Sequence, residues 1–424
     1  MYFKYCFKRN AGVLLCLKVT RKRKGRVISM LSQKTIDIVK STAPVLEVHG
    51  VAITTAFYKN LFNAHPELLN IFNHANQAKG RQQTALANAV YAAAVHIDNL
   101  AAIIPAVKQI GQKHVSLGIK PEHYPIVGEH LLGAIKEVLG DAATDDIINA
   151  WAEAYGVIAD AFIGIEEEMY VAAESKEGGW RFFKDFVIAD KVKESENITS
   201  FYLKPADGSA VPTYEPGQFI TIRVLIPGEK YLMNRQYSLS KAADSETFRI
   251  SVKKEDENNP EGKVSVHLHN NVNIGHIVEL TSPAGDFFLD SEKTTSVTFV
   301  SGGVGITPMM SMFETIAKNQ PNRPVSFIYS ARNENLHPFD KDIKALMETM
   351  DEAKYVALYS DGGDGFITKD LLKEHTLKDG DVYVCGPVGF METMINHLLE
   401  LGFANEQIHY EFFGPALKLE LVEA

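Results

Sequence analysis

The sequence contains few cysteines, and they are unevenly distributed. Only three occur in 424 residues, and because Cys6 and Cys16 both lie near the start, Cys385 is alone in the rest of the chain. One cysteine cannot form an intrachain disulfide, and stable disulfides belong to oxidising compartments. We therefore expect a protein of the reducing cytoplasm rather than a disulfide-stabilised secreted domain.

Long apolar runs and an excess of positive charge are also missing. No window offers the roughly 18 apolar residues that a membrane-spanning helix requires, so no membrane span is expected. The net charge of −10 argues against nucleic acid as a partner. We find no internal repeat and no low-complexity tract.

Basic residues are concentrated in the first 29 residues, which contain nine Lys and Arg and no acidic residue. A signal peptide is disfavoured, because a basic run at 21–24 follows the short apolar stretch 11–17 where a cleavage site belongs. An anchor for anionic lipid stays open. The interpretation we favour is that the true start is Met30, so residues 1–29 are predicted to lie outside the fold.

Sequence texture divides the remainder into three predicted domains. Residues 30–173 have helical periodicity, and the sequence KEGGW at 176–180 is typical of a linker. Residues 179–290 contain short apolar runs between turns, which predicts an antiparallel β-barrel. In residues 293–424 strands alternate with helices, which predicts a parallel α/β domain. The predicted strands are Phe186–Ile188, Ser200–Lys204, Phe219–Val224, Phe248–Val252, Val297–Ser301, Val325–Tyr329, Tyr355–Tyr359 and Val382–Cys385.

Three helix faces in the first domain place polar residues among apolar ones. They are centred on Tyr58, on Gln82 with Leu86, and on His114. Each alone is weak evidence, because a Tyr on a helix face is more often a core residue and a lone His a structural one. The first face is predicted to comprise Val51, Thr54, Thr55, Tyr58, Leu61 and Phe62.

Together, however, the pattern resembles the globin domain of bacterial flavohaemoglobins. The resemblance implies that His114 is the proximal ligand of a haem b iron, with His96 as the rival ligand. It also implies that Tyr58 and Gln82 are catalytic residues on the distal side. The motif residues that carry it are Tyr58, Asn70-Ile71-Phe72, Gln82, Leu86, Gln112-Lys113-His114 and Tyr124, among which Phe72, Leu86 and Lys113 are expected beside the haem.

In that family a Glu and a Tyr hydrogen-bond the proximal histidine. The resemblance assigns these roles to Glu166 and Tyr124, with Glu168 as the alternative carboxylate. The alignment with the family favours Glu166, and its position on one helix face with Ala159 and Phe162 supports that choice. A carboxylate partner gives the imidazole partial imidazolate character, which favours oxygen activation over reversible storage.

The second domain contains three short motifs that, in this order, resemble a ferredoxin-reductase-like flavin domain. The resemblance implies FAD, with a cation at its pyrophosphate, an aromatic ring along the isoalloxazine and a helix N-terminus at a phosphate. Phe219 stands where the family often has Tyr, which keeps the stacking and loses a hydroxyl. The candidate FAD residues are Phe219, Arg235, Gln236, Tyr237, Ser238, Gly262 and Ser265.

The third domain has two glycine-containing loops after buried strands and an aromatic C-terminal segment. Glycines let backbone N–H groups approach a pyrophosphate, so NAD(P)H is expected. The second loop is expected to close over the nicotinamide, and the C-terminal segment to cap the flavin, with Phe413 against its ring. The candidates are Gly302, Gly303, Val304, Gly305, Ile306, Thr307, Pro308, Cys385, Gly386 and Pro387, followed by Glu411, Phe412, Phe413, Gly414 and Pro415.

These resemblances imply a nitric oxide dioxygenase. Such an enzyme converts nitric oxide and dioxygen to nitrate at a haem that NAD(P)H re-reduces through FAD. A haem-based oxygen or nitric oxide sensor, and a reductase of other acceptors, are the alternatives. A monomer is expected. Arg332, after a predicted strand, can meet a 2′-phosphate, so the choice between NADH and NADPH stays open.

Overall fold

The computed structural model describes residues 31–72, 77 and 80–413, together with the backbone of 5–8 and 14–17. In the latter, strands β1 (Tyr5–Lys8) and β2 (Leu14–Leu17) pair with each other in antiparallel fashion. That residues 1–29 lie outside the fold stays a prediction. Among the described helices, none has the length and apolarity that crossing a bilayer demands.

The first domain is a helical bundle whose core is formed by one long apolar stripe. The helix Ala43–Ala64 buries Leu46, Ile53, Phe57 and Leu61 against neighbouring helices. Because these residues recur at spacings of seven and four, they lie on one helix face. The described α-helices of this domain are Gln33–Ser41, Ala43–Ala64, Arg81–Val95, Ile104–Ser116, His123–Leu139 and Asp145–Glu174, with 3-10 turns at Pro66–Asn70, Leu100–Ile103 and Gly140–Ala142.

One predicted helix face is corrected by the structure. Val51 is 51% exposed and Thr55 is also exposed, whereas Phe57, which the prediction left out, is buried. At about 100° per residue the buried arc is centred between Phe57 and Leu61. Tyr58 therefore lies at the edge of the buried arc, and Val51 and Thr55 lie beyond it towards solvent.

The second domain is a closed antiparallel β-barrel. Its strands are ordered β6-β5-β8-β3-β4-β7, and a bridge between Leu239 and Ile250 joins the two ends of the sheet. The interior is apolar and includes fully buried Phe186, Phe201 and Phe248. The elements are β3 (Phe183–Lys193), β4 (Ile198–Pro205), β5 (Phe219–Val224), β6 (Met233–Ser238), β7 (Phe248–Lys253), the helix Lys263–Asn271 and β8 (Ile277–Thr281).

The third domain is a parallel sheet in the order β11-β10-β9-β12-β13. The strand order reverses between β9 and β12, and such a switch point opens a crevice at the carboxyl ends of the strands. The strands are β9 (Val297–Gly302), β10 (Val325–Ala331), β11 (Ala353–Tyr359), β12 (Asp381–Cys385) and β13 (Ile408–Tyr410), and the helices are Ile306–Asn319, Asp340–Met347, Lys369–His375 and Val388–Glu400.

The predicted fold class is therefore confirmed: a helical domain, an antiparallel barrel and a parallel α/β domain follow one another. Each predicted strand lies within an observed one. Among the strands of the second and third domains, the prediction missed β6, β8 and β13. In β8, Ile277 is 62% exposed, so its apolar residues do not mark a buried run.

Candidate functional site

The His114 imidazole is held by a buried carboxylate. Its Nδ1 lies 2.7 Å from Glu166 Oε1 and 3.2 Å from the Tyr124 hydroxyl, which itself donates to Glu166 Oε1 at 2.5 Å. Burial, followed by the charge of Glu166, raises the pKa of Tyr124, so its hydroxyl stays a donor. A carboxylate only accepts, so Nδ1 carries the imidazole proton and Nε2 keeps the lone pair that a metal requires.

Three helices bring this group together, and they discriminate between the predicted alternatives. Glu166 is 3% exposed, whereas Glu168 is exposed. Glu167 forms an ion pair with Arg181 at 2.9 Å. His96, the rival ligand, is exposed at the end of its helix. The geometry thus favours His114 with Glu166 over either alternative.

Tyr58 lies in the helix Ala43–Ala64, among aromatic rings. Its ring centroid is 4.8 Å from that of Phe57 and 5.8 Å from those of Phe62 and Phe72. Burial raises its pKa above the usual range. Among the residues that the structure describes, its hydroxyl has no hydrogen-bond partner, so a protonated donor is available to a ligand.

Gln82 carries one of three buried side-chain polar atoms that lack a hydrogen-bond partner among the described residues of this domain. Its Oε1 is unmatched, as are the Gln83 Oε1 and the Gln77 Nε2. Buried polar atoms are nearly always hydrogen-bonded, so an unmatched one marks a place where a ligand or water is missing. A haem requires a nitrogen ligand for its iron, polar groups for the bound gas and an apolar lining. The His114 Nε2 would be the ligand, Tyr58 and Gln82 would be the polar groups, and half-buried Phe72 and Leu86 would be the lining.

Strand β6 contains the flavin motif at 235–238. Arg235 is half-buried, and none of the described acidic side chains forms an ion pair with it; its Nη1 donates only to the Asn234 carbonyl at 2.7 Å. Burial lowers the pKa of its guanidinium. A cation that is desolvated without a counter-charge is costly, so this position fits an anionic pyrophosphate.

The flavin motif at 262–265 forms the N-terminus of a helix. Gly262 is the N-cap of Lys263–Asn271, and the Ser265 hydroxyl donates to the Gly262 carbonyl at 3.0 Å. A Cβ at Gly262 would lie 2.7 Å from Ser265 Oγ and 2.8 Å from Glu255 Cβ, so only glycine fits without displacement. The free N–H groups of this first turn suit a phosphate.

The two glycine-containing loops of the third domain meet at the switch point. Gly303–Gly305 follows β9 and begins the helix Ile306–Asn319, and the Cys385–Pro387 loop follows β12. A Cβ at Gly305 would lie 2.2 Å from the Cys385 carbonyl oxygen, so a side chain there would force the loops apart. The pair forms the crevice that a dinucleotide uses in this kind of sheet.

Cys385 and the C-terminal segment lie beside that crevice. The Cys385 thiol is fully buried, and burial raises its pKa well above the ordinary value, which disfavours nucleophilic chemistry. Phe412 packs against the core of the third domain, whereas Phe413 is 49% exposed and therefore available to a ring. Gly414 and Pro415 lie outside the described residues.

Lys113 connects the helical domain to the other two. Its Nζ lies 3.1 Å from Glu411 Oε1 and 4.4 Å above the centre of the Phe219 ring. Burial raises the pKa of Glu411, and the charge of Lys113 opposes that shift.

Arg332, the candidate for a 2′-phosphate, forms an ion pair: its Nη2 lies 3.0 Å from both carboxylate oxygens of Glu257.

Sequence reasoning missed the polar residues that join the domains. Asn70 and Asn234 hydrogen-bond across the boundary between the helical domain and the barrel, and Ser116 accepts from Gln236 there. Asn70 belongs to the Asn70-Ile71-Phe72 motif but had no role assigned, and no periodicity or motif marks Asn234 or Ser116, because an isolated Asn or Ser is ordinary at a turn or helix end. The only signal for the last two is proximity to the motifs: Ser116 lies two residues after His114, and Asn234 lies one residue before Arg235.

Comparison with protein families gives one match for each domain. Residues 55–162 match the Globin family, residues 185–289 match the Oxidoreductase FAD-binding domain, and residues 299–396 match the Oxidoreductase NAD-binding domain.

Similar whole chains are also found. A Bacillus cereus protein named Flavohemoprotein is 55% identical over 92% of this chain and 100% of its own length. Flavohemoprotein A of Dictyostelium discoideum is 51% identical over 91% of this chain and 98% of its own. The crystal structure of flavohemoglobin from Malassezia yamatoensis with bound FAD and heme superimposes with a TM-score of 0.80 at 27% identity, covering 91% of this chain and 100% of that one.

A further crystal structure resembles the second and third domains. It is the flavohem-like FAD/NAD binding domain of nitric oxide dioxygenase from Vibrio cholerae, at 41% identity and a TM-score of 0.51. It covers 55% of this chain and 99% of that chain.

Proposed function

The chain belongs to the flavohemoprotein family, and from that premise we propose that it is an NAD(P)H-dependent nitric oxide dioxygenase. In the balanced reaction, two nitric oxide and two dioxygen molecules consume one NADH and give two nitrates, NAD⁺ and one proton. When bound, the haem provides the site where dioxygen and nitric oxide combine, and FAD divides the hydride electron pair into single electrons.

The proximal residues orient and polarise the imidazole. Glu166 accepts a hydrogen bond from the His114 Nδ1–H, which fixes the ring and leaves the Nε2 lone pair for a metal. Tyr124 adds a second donor to the same carboxylate oxygen. The carboxylate draws the Nδ1 proton towards itself, so the imidazole is a stronger electron donor than a free histidine.

The distal residues supply a donor within a dry environment. Tyr58 holds its proton because burial raises its pKa, and its hydroxyl is available to donate to a polar ligand atom. Phe57, Phe62 and Phe72 surround that ring and exclude water. Gln82 offers an acceptor, or after rotation of its amide a donor, to the same space.

The barrel and the α/β domain bind the two nucleotides. Arg235 provides the cation for a pyrophosphate, Tyr237 an aromatic surface, and the Gly262 helix N-terminus a set of N–H donors. We assign NAD(P)H to the Gly302–Pro308 and Cys385–Pro387 loops, where Cys385 contributes shape without acting as a nucleophile. We propose dioxygen, nitric oxide and NAD(P)H as its partners, a cytoplasmic location and a monomeric state.

The observation that carries this proposal is the His114–Glu166–Tyr124 group in a chain that also contains both nucleotide domains. The test is consumption of NADH by the purified protein with nitric oxide and dioxygen together and with each alone. We expect rapid oxidation only with both gases, and nitrate as the product. A sensor would show no such turnover, and a general reductase would oxidise NADH equally well without nitric oxide.

A further inference from the structure

Strand β6 contacts different partners on its two faces. Successive residues of a strand alternate between faces, so Asn234 and Gln236 share one face while Arg235 and Tyr237 share the other. The register with β5 is uninterrupted along this stretch, so no bulge disturbs the alternation. One face carries candidate flavin residues, and the side chains of the other reach the helical domain.

Asn234 attaches the strand to the turn that precedes Phe72. Its Nδ2 donates to the Asn70 carbonyl at 2.9 Å and to the Ile71 carbonyl at 2.8 Å. Asn70 reciprocates, because its Oδ1 accepts from the Leu232 N–H at 2.9 Å. Asn234 is 2% exposed. Both of its partners are carbonyls, so only the amide nitrogen can face them and the orientation is determined.

Gln236 attaches the same face to the helix that carries His114. Its Nε2 donates to the Ser116 hydroxyl at 2.7 Å, and Ser116 is fully buried. That hydroxyl in turn donates to the Lys113 carbonyl at 2.8 Å. Gln236 was expected at the flavin, but its side-chain amide is committed to a residue two positions beyond His114.

These contacts place one strand against both sides of the haem pocket. The Asn70–Ile71 turn leads directly into Phe72 on one side, and Ser116 follows His114 on the other. Hydrogen bonds fix direction as well as distance, so two of them at separate points also prevent the strand from pivoting. A displacement of about 1 Å at a reacting group can cost on the order of 100-fold in rate.

We propose that Asn234 and Gln236 are positioning residues that set the geometry of electron transfer from flavin to haem. The proposal rests on the FAD and haem of the proposed function and not on nitric oxide. With both groups bound, the electron pair of a hydride from NADH would pass through FAD to the haem in two single-electron reductions, and the accompanying proton would go to solvent.

The test uses one variant on each side of the boundary. Asn234→Ala leaves the two carbonyls of the turn without their donor, and Ser116→Ala removes the acceptor of Gln236. The matched control is Arg181→Gln, which weakens the ion pairs of Arg181 with Glu167 and Glu174 but does not touch β6. Each holoprotein is mixed anaerobically with NADH, and flavin and haem absorbance are followed separately.

We expect flavin reduction to stay within about twofold of the parent while haem reduction slows by about tenfold or more in both variants. Hydrogen–deuterium exchange provides a readout independent of turnover: amides of Ile104–Ser116 should exchange faster in Ser116→Ala, and those of 66–72 in Asn234→Ala. Arg181→Gln should change neither the rate of haem reduction nor these amides.

Haem reduction at the parental rate in both variants would overturn the proposal, as would equal slowing in Arg181→Gln. If Asn234→Ala fails to fold, Ser116→Ala alone decides, because it removes a single hydroxyl. A failure of the proposed function is distinguishable, because it would show as missing nitric oxide turnover in the parent while NADH still reduced flavin and haem.

Discussion

The two sides of the haem pocket differ in how completely their polar atoms are matched. On the proximal side, Glu166 Oε1 accepts from both His114 and Tyr124. On the proposed distal side, Gln82 Oε1 is buried and has no hydrogen-bond partner among the described residues. Both sides are built from helices of one domain and both are largely buried, so burial alone does not explain the contrast.

The difference indicates two roles: the proximal residues hold a metal ligand in one orientation, and the distal residues are available to bind a second ligand. A satisfied buried network fixes the direction of its members, which is what a metal ligand needs. An unsatisfied buried donor or acceptor costs stability in the protein alone, and that cost is recovered when a ligand supplies the missing partner. Substitutions on the proximal side should therefore affect haem binding and turnover, and those on the distal side should affect ligand retention.

The largest effect is expected for His114→Ala. Loss of a residue that hydrogen-bonds a metal ligand costs up to roughly 100-fold. Because His114→Ala removes the ligand itself, nitric oxide turnover should fall by more than that. NADH-dependent ferricyanide reduction, which needs only the flavin, should persist. Haem content from the Soret band and both activities are the measurements. Unchanged nitric oxide turnover would show that the haem is incidental.

The next effect is expected for Glu166→Gln, which removes the charge and keeps the shape. The imidazole loses its carboxylate acceptor, so turnover or haem affinity should fall by about 10- to 100-fold. Glu168→Gln is the matched control, because Glu168 belongs to the same helix and is exposed. Equal losses in the two variants would mean that the buried carboxylate has no special role.

A smaller and differently located effect is expected for Tyr58→Phe. A hydrogen bond to a charged acceptor is worth about 1.5–3 kcal/mol, so dioxygen should dissociate roughly 10- to 100-fold faster from the reduced variant. Because burial raises the pKa of Tyr58, the parental rate should not change as pH rises to the alkaline limit of stability. Flash photolysis measures both, and a rate that rises with pH would contradict the assigned donor.

The smallest effect is expected for Gln82→Leu. A neutral hydrogen bond contributes about 0.5–1.5 kcal/mol, which corresponds to at most about a tenfold faster dissociation of dioxygen. The free energy of unfolding of the ligand-free protein should stay equal or rise, because a buried acceptor without a partner is removed. A large loss of stability would show that Gln82 has a structural partner.

Local motifs specify the candidate nucleotide sites more fully than the candidate haem site. The Gly302–Pro308 run needs only its own strand and helix, so its phosphate geometry is already implied by adjacent residues. The proximal group instead joins residues separated by 10 and 52 positions. The resemblance identified its members, but helix order alone left Glu166 and Glu168 both possible until the packing buried one and exposed the other.

The domain boundary could not be predicted at all. Asn70 lies 164 positions from Asn234, and neither belongs to a pattern with a period. Their pairing depends on how the barrel rests against the helical bundle, which no single segment encodes. The same holds for Val51 and Thr55, whose exposure depends on which arc of their helix the neighbouring helices cover.

The amino-acid sequence by itself determined the three folds and the positions of the glycine-containing loops, because periodicity and glycine placement act over a few residues. Only the tertiary structure decided which carboxylate meets His114, that Gln82 Oε1 stays unmatched, and how β6 contacts both the Asn70–Ile71 turn and Ser116. Those outcomes depend on side chains meeting across long stretches of chain, and their geometry is fixed only when the domains pack.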